Sequence, residues 1–459
     1  MKVSIILAAG EGTRMKSKVP KVLHEILGRP MLFYVLNSCK KADISKNLVV
    51  VGHNKEKVKD KFNDEANVDF IEQPIGDEYP YGTGFAVSTA IDSIDDDDTV
   101  IILNGDTPLI SDSTIDCFLK FHECRQNAMT VLTADMPNPT NYGRIVRDED
   151  ANIKAIVEEK DANEKEKLIR EINSGIFAFK GSALKYAINN LDTDNAAHEM
   201  YLTDALEILV GASEKVGSFK IKDPNEIWGV NSRYELSNAA KILRREINKK
   251  YMVEGVTLID PYSTYIEFGA KIESDVTIFP GTYIDKNSEI KSGSVIYDSK
   301  IYDSIIEEDV EIKSSEIESS VVGFGTKIGP YAHLRPNSNV GKNCKVGNFV
   351  EIKNSNIGDG SKMSHLAYVG DADIGKNVNI GCGVVFVNYN GRDKFRSTIG
   401  DNAFIGSNSN IVAPLEVEDN AYIAAGSTIT KKVFKGQLSL ERADQKNIDG
   451  WVLRKGFMK

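Results

Sequence analysis

Two stretches of the chain hold residue types able to do chemistry. The first, LAAGEGTRMKSKVPK from Leu7 to Lys21, follows the apolar run VSIIL and contains Gly10, Gly12, Arg14 and Lys21. A dinucleotide fingerprint needs a third glycine for close helix packing, and Met15 stands in its place, so a hydride-transfer cofactor is not expected. What remains is a strand end, a turn that presents backbone N–H groups, and two cations, which together suit a polyphosphate. Alone, the same residues also fit a plain strand-to-helix turn with surface cations. The run VIILNGDTPL adds to the first reading, because it leaves Asp106 at a carboxyl strand end, where open α/β sheets bind ligands. Its carboxylate is the hard oxygen ligand that a Mg²⁺–phosphate site requires.

The second stretch is HLAYVGDADIGKNVNIGCG, which begins at His365. A lone histidine usually has a structural or surface role. Here Arg335, Lys353, Tyr368 and the pair Asn388-Tyr389 lie at separations that stacked coils would bring to one side. Cations there suit a sugar phosphate, and a neutral imidazole near pH 7 suits proton removal from an amine attacking a thioester. Cys382, in GCG, has no base or thiol-activating pattern beside it, which favours a small buried side chain over an acyl-cysteine intermediate.

The elements that must position these residues fall into two regimes. To about residue 230, the runs VSIIL, NLVVV, VDFI, TVIIL, MTVLT and GIFAF alternate with helical segments such as 30–41, the pattern of an α/β domain with a largely parallel sheet. From 232 to 252, Leu236, Ala239, Ala240, Leu243 and Ile247 recur at helical spacing and predict one long helix linking two domains. Beyond it Ile266, Ile272, Ile278, Ile284, Ile290 and Ile296 fall six apart, and the beat returns at Ile328 and at Ile399. A hexapeptide period held this long marks a β-helix, with three hexads to a coil and roughly nine coils at about 4.8 Å each. The beat breaks at VNYNGRDKFRST, where a loop is expected to leave the prism.

Bulk properties narrow the functional classes. The 459 residues are 41% hydrophobic and 27% charged, which predicts a soluble globular protein of two or three domains. A net charge of −11 disfavours nucleic acid as a partner. No apolar run is long enough to span a membrane and no signal-peptide pattern opens the chain, so a cytoplasmic location is expected. Five scattered cysteines without C-x-x-C spacing argue against a disulfide framework or a zinc site. The acidic run from Asp95 to Asp98 reads as a solvated loop rather than a metal site.

LAAGEGTRM with Pro20-Lys21, GTG at 82–84, NGDTPL, YGRIV, IVEEKDA, EINSGI and GVN at 229–231 together resemble the sugar-1-phosphate nucleotidyltransferases. With the repeat region, the chain resembles the bifunctional N-acetylglucosamine-1-phosphate uridylyltransferase/glucosamine-1-phosphate N-acetyltransferase family over nearly its whole length. The resemblance implies an α/β nucleotidyltransferase domain with a Rossmann-like mixed sheet (1–230), a linker helix (231–252), a left-handed parallel β-helix (253–446) and a tail (447–459). It implies that Leu7, Ala8, Ala9, Gly10, Gln73, Gly82, Thr83, Asn104 and Gly105 bind UTP and that Arg14 and Lys21 face its phosphates. Gly143, Glu158 and Asn173 would hold the acetylated sugar, and Asp106 and Asn231 would ligate Mg²⁺.

For the prism, the resemblance implies His365 as proton acceptor, Arg335, Lys353, Tyr368 and Asn379 around glucosamine-1-phosphate, and Cys382, Asn388, Tyr389, Ser407, Ala425 and Arg442 around acetyl-CoA. It also implies a homotrimer. Three departures stand out: the segment from Gln73 to Gly84 is longer and lacks a second glutamine, Cys382 replaces a small alanine, and NYNG replaces NYDG. Two other readings compete: a nucleotidyltransferase whose prism only oligomerises or regulates, and a non-enzymatic sugar-nucleotide scaffold.

Overall fold

The computed structural model describes residues 1–76, 78–193 and 199–457, which form two compact units, Met1–Leu243 and Arg244–Lys459. In the first unit the strands are β1 (Lys2–Ala8), β2 (Lys46–Val51), β3 (Val68–Glu72), β4 (Thr99–Asn104), β5 (Met129–Asp135), β6 (Arg144–Arg147), β7 (Ile153–Val157), β8 (Glu171–Lys180) and β9 (Val216–Lys220). The helices are α1 (Met31–Lys41), α2 (Lys55–Phe62), α3 (Thr83–Ser88), α4 (Asp112–Arg125), α5 (Gly181–Asn189) and α6 (Ala205–Gly211), while α7 (Arg233–Val253) begins in this unit and ends in the second. The main sheet runs β9-β5-β8-β4-β1-β2-β3.

The central strands are almost continuously apolar because both faces are covered. Ile6, Ile101 and Leu103 pack with Leu32 and Val35 of α1 and Phe118 of α4. Val3, Ile5, Val100 and Ile102 pack with Val87 of α3, Leu184 of α5 and Leu206 of α6 on the opposite face. Most neighbours are parallel, but β8 runs antiparallel to both β4 and β5, so the sheet is mixed. A β6–β7 hairpin extends from the same strand through the Ile172–Arg144 pairing. The EINSGIFAF run therefore supplies the antiparallel member of the mixed sheet.

The acidic run is not simply solvated. Asp98 is buried and accepts the Met1 ammonium at 2.7 Å and the Asp95 N–H at 2.8 Å. The backbone carbonyls of Asp98 and Asp96 accept the first N–H groups of α5, from Gly181 at 2.8 Å and Ser182 at 3.0 Å. These residues do for α5 what a side-chain cap does elsewhere.

In the second unit, three parallel sheets of 11, 10 and 9 strands stack in register, so the longest runs two strands past the nine coils expected from the hexads. Ile278, Ile296, Ile312, Ile328, Val346 and Met363 succeed one another in one sheet and are all buried. This architecture is consistent with a left-handed β-helix. The five-residue steps at Ile296, Ile301 and Ile306 close with single left-handed residues, Asp298 (φ 38°) and Asp303 (φ 46°). Beside these short corners the buried serines join successive coils. The Ser299 hydroxyl accepts the Ser315 N–H, and the Ser315 hydroxyl accepts the Ala332 N–H, each at 3.1 Å. The last turns of α7 close the first coil, with Asn248 donating to the Pro261 carbonyl at 2.7 Å and Tyr251 to that of Ala270 at 2.5 Å.

The chain leaves the prism after Val385–Val387, forms an antiparallel bridge between Tyr389 and Lys394, and returns at Ser397–Ile399. The returning strand pairs with Ala372–Ile374 as an uninterrupted coil would. Arg396 fixes the return by gripping both carboxylate oxygens of Asp373 at 2.6 Å and the Asn354 carbonyl at 2.8 Å.

Candidate active sites

At the carboxyl ends of β1 and β4 lies a cleft of about 1160 Å³, walled by Leu7, Ala8, Ala9, Gly10, Arg14, Lys21, Gln73, Gly82, Thr83, Asn104, Asp106 and Asn231. Buried strand ends aim both loops into it: Leu7 pairs with Asn104, and the Gly105 N–H donates to the Leu7 carbonyl at 2.9 Å. Gly105 lies beneath this wall, where a Cβ would meet the Leu7 carbonyl at 3.1 Å. Of the two glycines in the first loop, Gly12 is the one sterically required. Its φ is +63°, and an added Cβ would stand 2.7 Å from that of Lys21, whereas Gly10 faces open space.

Four polar side chains converge there. Lys21 Nζ donates to Asn231 Oδ1 at 2.6 Å and forms an ion pair with Asp106, while Arg14 Nη2 donates to the same Asn231 oxygen at 2.8 Å. The Val230 N–H donates to the Asp106 carbonyl at 2.9 Å, and Glu235 accepts the Asn231 N–H at 2.7 Å. Asp106 and Asn231, more than a hundred residues apart, thus point two oxygens at one cation. Among the described residues no group of three or more His, Cys, Asp or Glu side chains could hold a metal ion. A site for Mg²⁺ here fits the mode in which one carboxylate and one amide oxygen share the ion with substrate phosphates and water.

Tyr142 and Ser174 also line the cleft, and the expected sugar-binding residues Gly143 and Asn173 are their chain neighbours, although neither these two nor Glu158 lines it. The Asn173 N–H donates to the Gly143 carbonyl at 2.8 Å, and the Glu158 carboxylate sits where a Cβ on Gly143 would meet it at 3.2 Å. Burial, then the charges of Asp161, Asp204 and Glu199, raise the Glu158 carboxyl above the usual carboxylate range, with Arg144 opposing. Thr83 has a second task, its hydroxyl accepting the Leu202 N–H at 3.2 Å. Part of the altered 73–84 segment, residue 77, lies outside the described residues.

In the prism, coil register stacks the second set into separate columns. Arg335 and Lys353 follow paired residues Leu334 and Ile352 and so stack one coil apart, and Lys353 pairs with Gly370. Arg335 Nη1 holds Glu351 at 2.9 Å. His365 ends the strand Lys362–His365, is exposed, and stacks on Asn348. The Asn408 N–H donates to the Cys382 carbonyl at 2.7 Å and the Gly426 N–H to the Ser407 carbonyl at 2.8 Å, which places Cys382, Ser407 and Ala425 at one corner of successive coils. Arg442 Nη1 donates to the Ala425 carbonyl at 2.9 Å, so it joins that column. Asn379 lies on the face of the His365 strand, paired with Lys362 and Phe404.

The excursion brings Asn388 to Tyr368, its Nδ2 3.4 Å from the phenol oxygen, and to Asp371 at 2.5 Å. Tyr389 turns outward and donates to the Gly391 carbonyl at 2.7 Å. Asn390 Oδ1 accepts the N–H groups of Arg392 at 2.9 Å and Asp393 at 2.7 Å, the same turn an aspartate would make, so this departure leaves the loop intact.

Two residues of this site escaped the sequence reading. Asp371 is buried and accepts from Asn354 at 2.5 Å as well as from Asn388, and Lys394 lies against Lys353. Lys353 holds the Lys394 ammonium below its ordinary range, because each like charge disfavours the charged form of the other. The signal for Asp371 was the five-residue step at VGDADIG, since such steps end in left-handed polar residues (φ 50°). Lys394 gave no signal beyond lying in the interruption.

A cation-lined cleft at the carboxyl edge of a mixed sheet, joined in one chain to a hexad prism, defines a nucleotidyltransferase fused to a hexapeptide-repeat transferase. Residues 3–235 match the model of the nucleotidyl transferase family, and 319–354 and 396–431 match that of the bacterial transferase hexapeptide (six repeats). The chain is 48% identical over 453 residues to the bifunctional protein GlmU of Clostridioides difficile (strain 630), covering 98% of this chain and 97% of that one. It is 46% identical over 459 residues to the bifunctional protein GlmU of Acetivibrio thermocellus, covering 100% and 98%. The chain belongs to the GlmU family of bifunctional proteins.

Proposed function

We propose that the prism transfers acetyl from acetyl-CoA to glucosamine-1-phosphate, and that the N-terminal unit then joins the product to UTP, giving UDP-N-acetylglucosamine and pyrophosphate. The observation that carries the reading is the convergence of Arg14, Lys21, Asp106 and Asn231 in one cleft. Full-length similarity to proteins named bifunctional favours it over an idle prism or a binding scaffold.

In the first unit the sugar phosphate oxygen attacks the α-phosphorus of UTP and the bond to pyrophosphate breaks, so catalysis is alignment and neutralisation of anions. Arg14 and Lys21 bind the triphosphate, and the strand-end backbone from Leu7 to Gly10 orients it. Asp106 and Asn231 would hold Mg²⁺, which supplies charge neutralisation on the phosphates when bound. Glu158 and Asn173 orient the sugar through its hydroxyls and acetamide, with the Gly143 backbone lying close against it.

In the second unit His365 accepts the proton as the amine nitrogen bonds to the thioester carbon, and the C–S bond breaks to release CoA. Arg335, Lys353 and Lys394 bind the sugar phosphate. The corner column at Cys382, Ser407 and Ala425 presents backbone groups to acetyl-CoA, where amide donors stabilise the developing oxyanion.

Tyr331, Phe349 and Leu366 are 60%, 58% and 59% exposed at successive corners, all at positive φ, where asparagine and glycine stand elsewhere. Bulky apolar groups in that conformation, next to His365, support self-association into a homotrimer whose neighbour completes the acetyl site. We place the enzyme in the cytoplasm, where its free cysteines stay reduced. A coupled assay on purified protein with glucosamine-1-phosphate, acetyl-CoA, UTP and Mg²⁺, omitting each component in turn, tests the reading. Product that forms without acetyl-CoA or without UTP defeats it.

A further inference from the structure

We propose that Arg144 is a positioning residue for the sugar subsite, its guanidinium clasping together the two chain segments that carry Gly143 and Glu158. The inference rests on the reading that these residues hold the acetylated sugar.

Arg144 opens β6, and its side chain is 2% exposed. Nη1 donates to the Tyr142 carbonyl, one residue before Gly143. Nη2 donates to Glu159 Oε2 at 2.6 Å, one residue after Glu158. The same carboxylate oxygen accepts the Asn141 N–H at 3.3 Å. Along the backbone Arg144 pairs with Val157 on one side and Ile172 on the other, so it stands where all three strands of the subsite meet. A single cation therefore ties the far end of the hairpin to its start.

Stability alone does not account for this arrangement. A buried guanidinium costs several kcal/mol unless its donors are matched, and Nε of Arg144 has no partner. The hairpin already buries Ile145 and Ile153 for cohesion. Such imperfect satisfaction is retained where orientation counts for more than stability. The charge has a second use. Glu158 is surrounded by Asp161, Asp204, Glu199 and the phenol of Tyr201, and Arg144 is the cation that opposes them.

The test is steady-state kinetics of pyrophosphate release on the full chain, with Glu159→Gln, Arg144→Lys and Arg144→Met. Glu159→Gln keeps the cation and loosens the clasp, so KM for N-acetylglucosamine-1-phosphate is expected to rise about 5- to 10-fold while KM for UTP stays within about twofold. Arg144→Met, which also removes the charge, is expected to move the acid limb of kcat/KM for the sugar phosphate to higher pH. Arg144→Lys is expected to restore that limb without restoring KM, because an ammonium lacks the planar fork. Unchanged KM for the sugar phosphate in Glu159→Gln, or equal rises for both substrates, overturns the proposal even if Arg144→Met fails to fold. Glu158→Ala with unchanged sugar-phosphate KM instead defeats the underlying subsite and leaves the clasp without an object.

Discussion

Lys21 Nζ donates a 2.6 Å hydrogen bond to Asn231 Oδ1, joining residues 210 positions apart in the chain. The contact brings the loop after β1 to the segment before α7, and with Asp106 it makes one compact electrostatic centre from three distant stretches. Each member orients the others, so the loss of any one removes more than its own charge.

Asp106→Ala should reduce pyrophosphate release from UTP by about 10²- to 10³-fold, the usual consequence of deleting one preorganised charge-stabilising group. Acetyl transfer, measured as thiol release from acetyl-CoA, should remain at the wild-type rate. Retention of full uridylyl transfer would remove Asp106 from the site.

His365→Ala should show the mirror image. Removal of a general base costs about 10²- to 10⁴-fold, so thiol release should nearly vanish while preformed N-acetylglucosamine-1-phosphate is still converted with UTP. Normal thiol release in this variant would mean that another group takes the proton.

Gly12→Ala forces a Cβ to within 2.7 Å of that of Lys21 at a φ of +63°. The expected result is a loss of about 1–3 kcal/mol of stability and a raised KM for UTP as Lys21 is displaced. Gly10→Ala, with nothing within 4 Å of the new methyl, serves as the control in the same melting and kinetic measurements.

Buried His122 and half-buried Asp204 should give opposing pH dependences of stability. Burial holds the His122 imidazole down at about 4, from 6.5. The unfolded chain binds its proton first, so this residue contributes stability above pH 6.5 that is lost as pH falls towards 4, at most about 3 kcal/mol. Burial, with Glu207, Asp192 and Asp161 nearby, pushes the Asp204 carboxyl up to about 6, from 3.8. Here the folded chain binds the proton first, so stability rises as pH falls from 6 to 3.8. Urea titrations from pH 4 to 7 should show His122→Gln flattening the acid loss and Asp204→Asn steepening it.

Much of this was legible in the chain itself. Isoleucines at hexad spacing mean inward-facing positions in successive coils, since only a β-helix returns to the same face so regularly. The strand-to-loop transitions at Leu7 and Leu103 likewise pointed to the cleft, because a strand buried on both faces ends where its apolar run ends. Direction was not legible. The IFAF half of EINSGIFAF is as apolar as the parallel strands, and nothing local records that it pairs antiparallel with its neighbours. Nor were Asp371, Lys394 and Arg144 visible as functional groups. Their partners come from other coils or other strands, and a carboxylate or cation in a turn looks the same in sequence whether it faces water or a buried amide. The acidic run misled for a related reason, as its backbone carbonyls, which cap α5, have no signature in residue type.

The excursion from 388 to 396 departs and rejoins without disturbing the pairing of Ala372–Ile374 with Ser397–Ile399. Length added there is lateral and adds nothing to the rise of the prism. The scaffold therefore behaves as a rack into which this segment is slotted like a cassette. Its sequence and span can change while every coil above and below keeps its place.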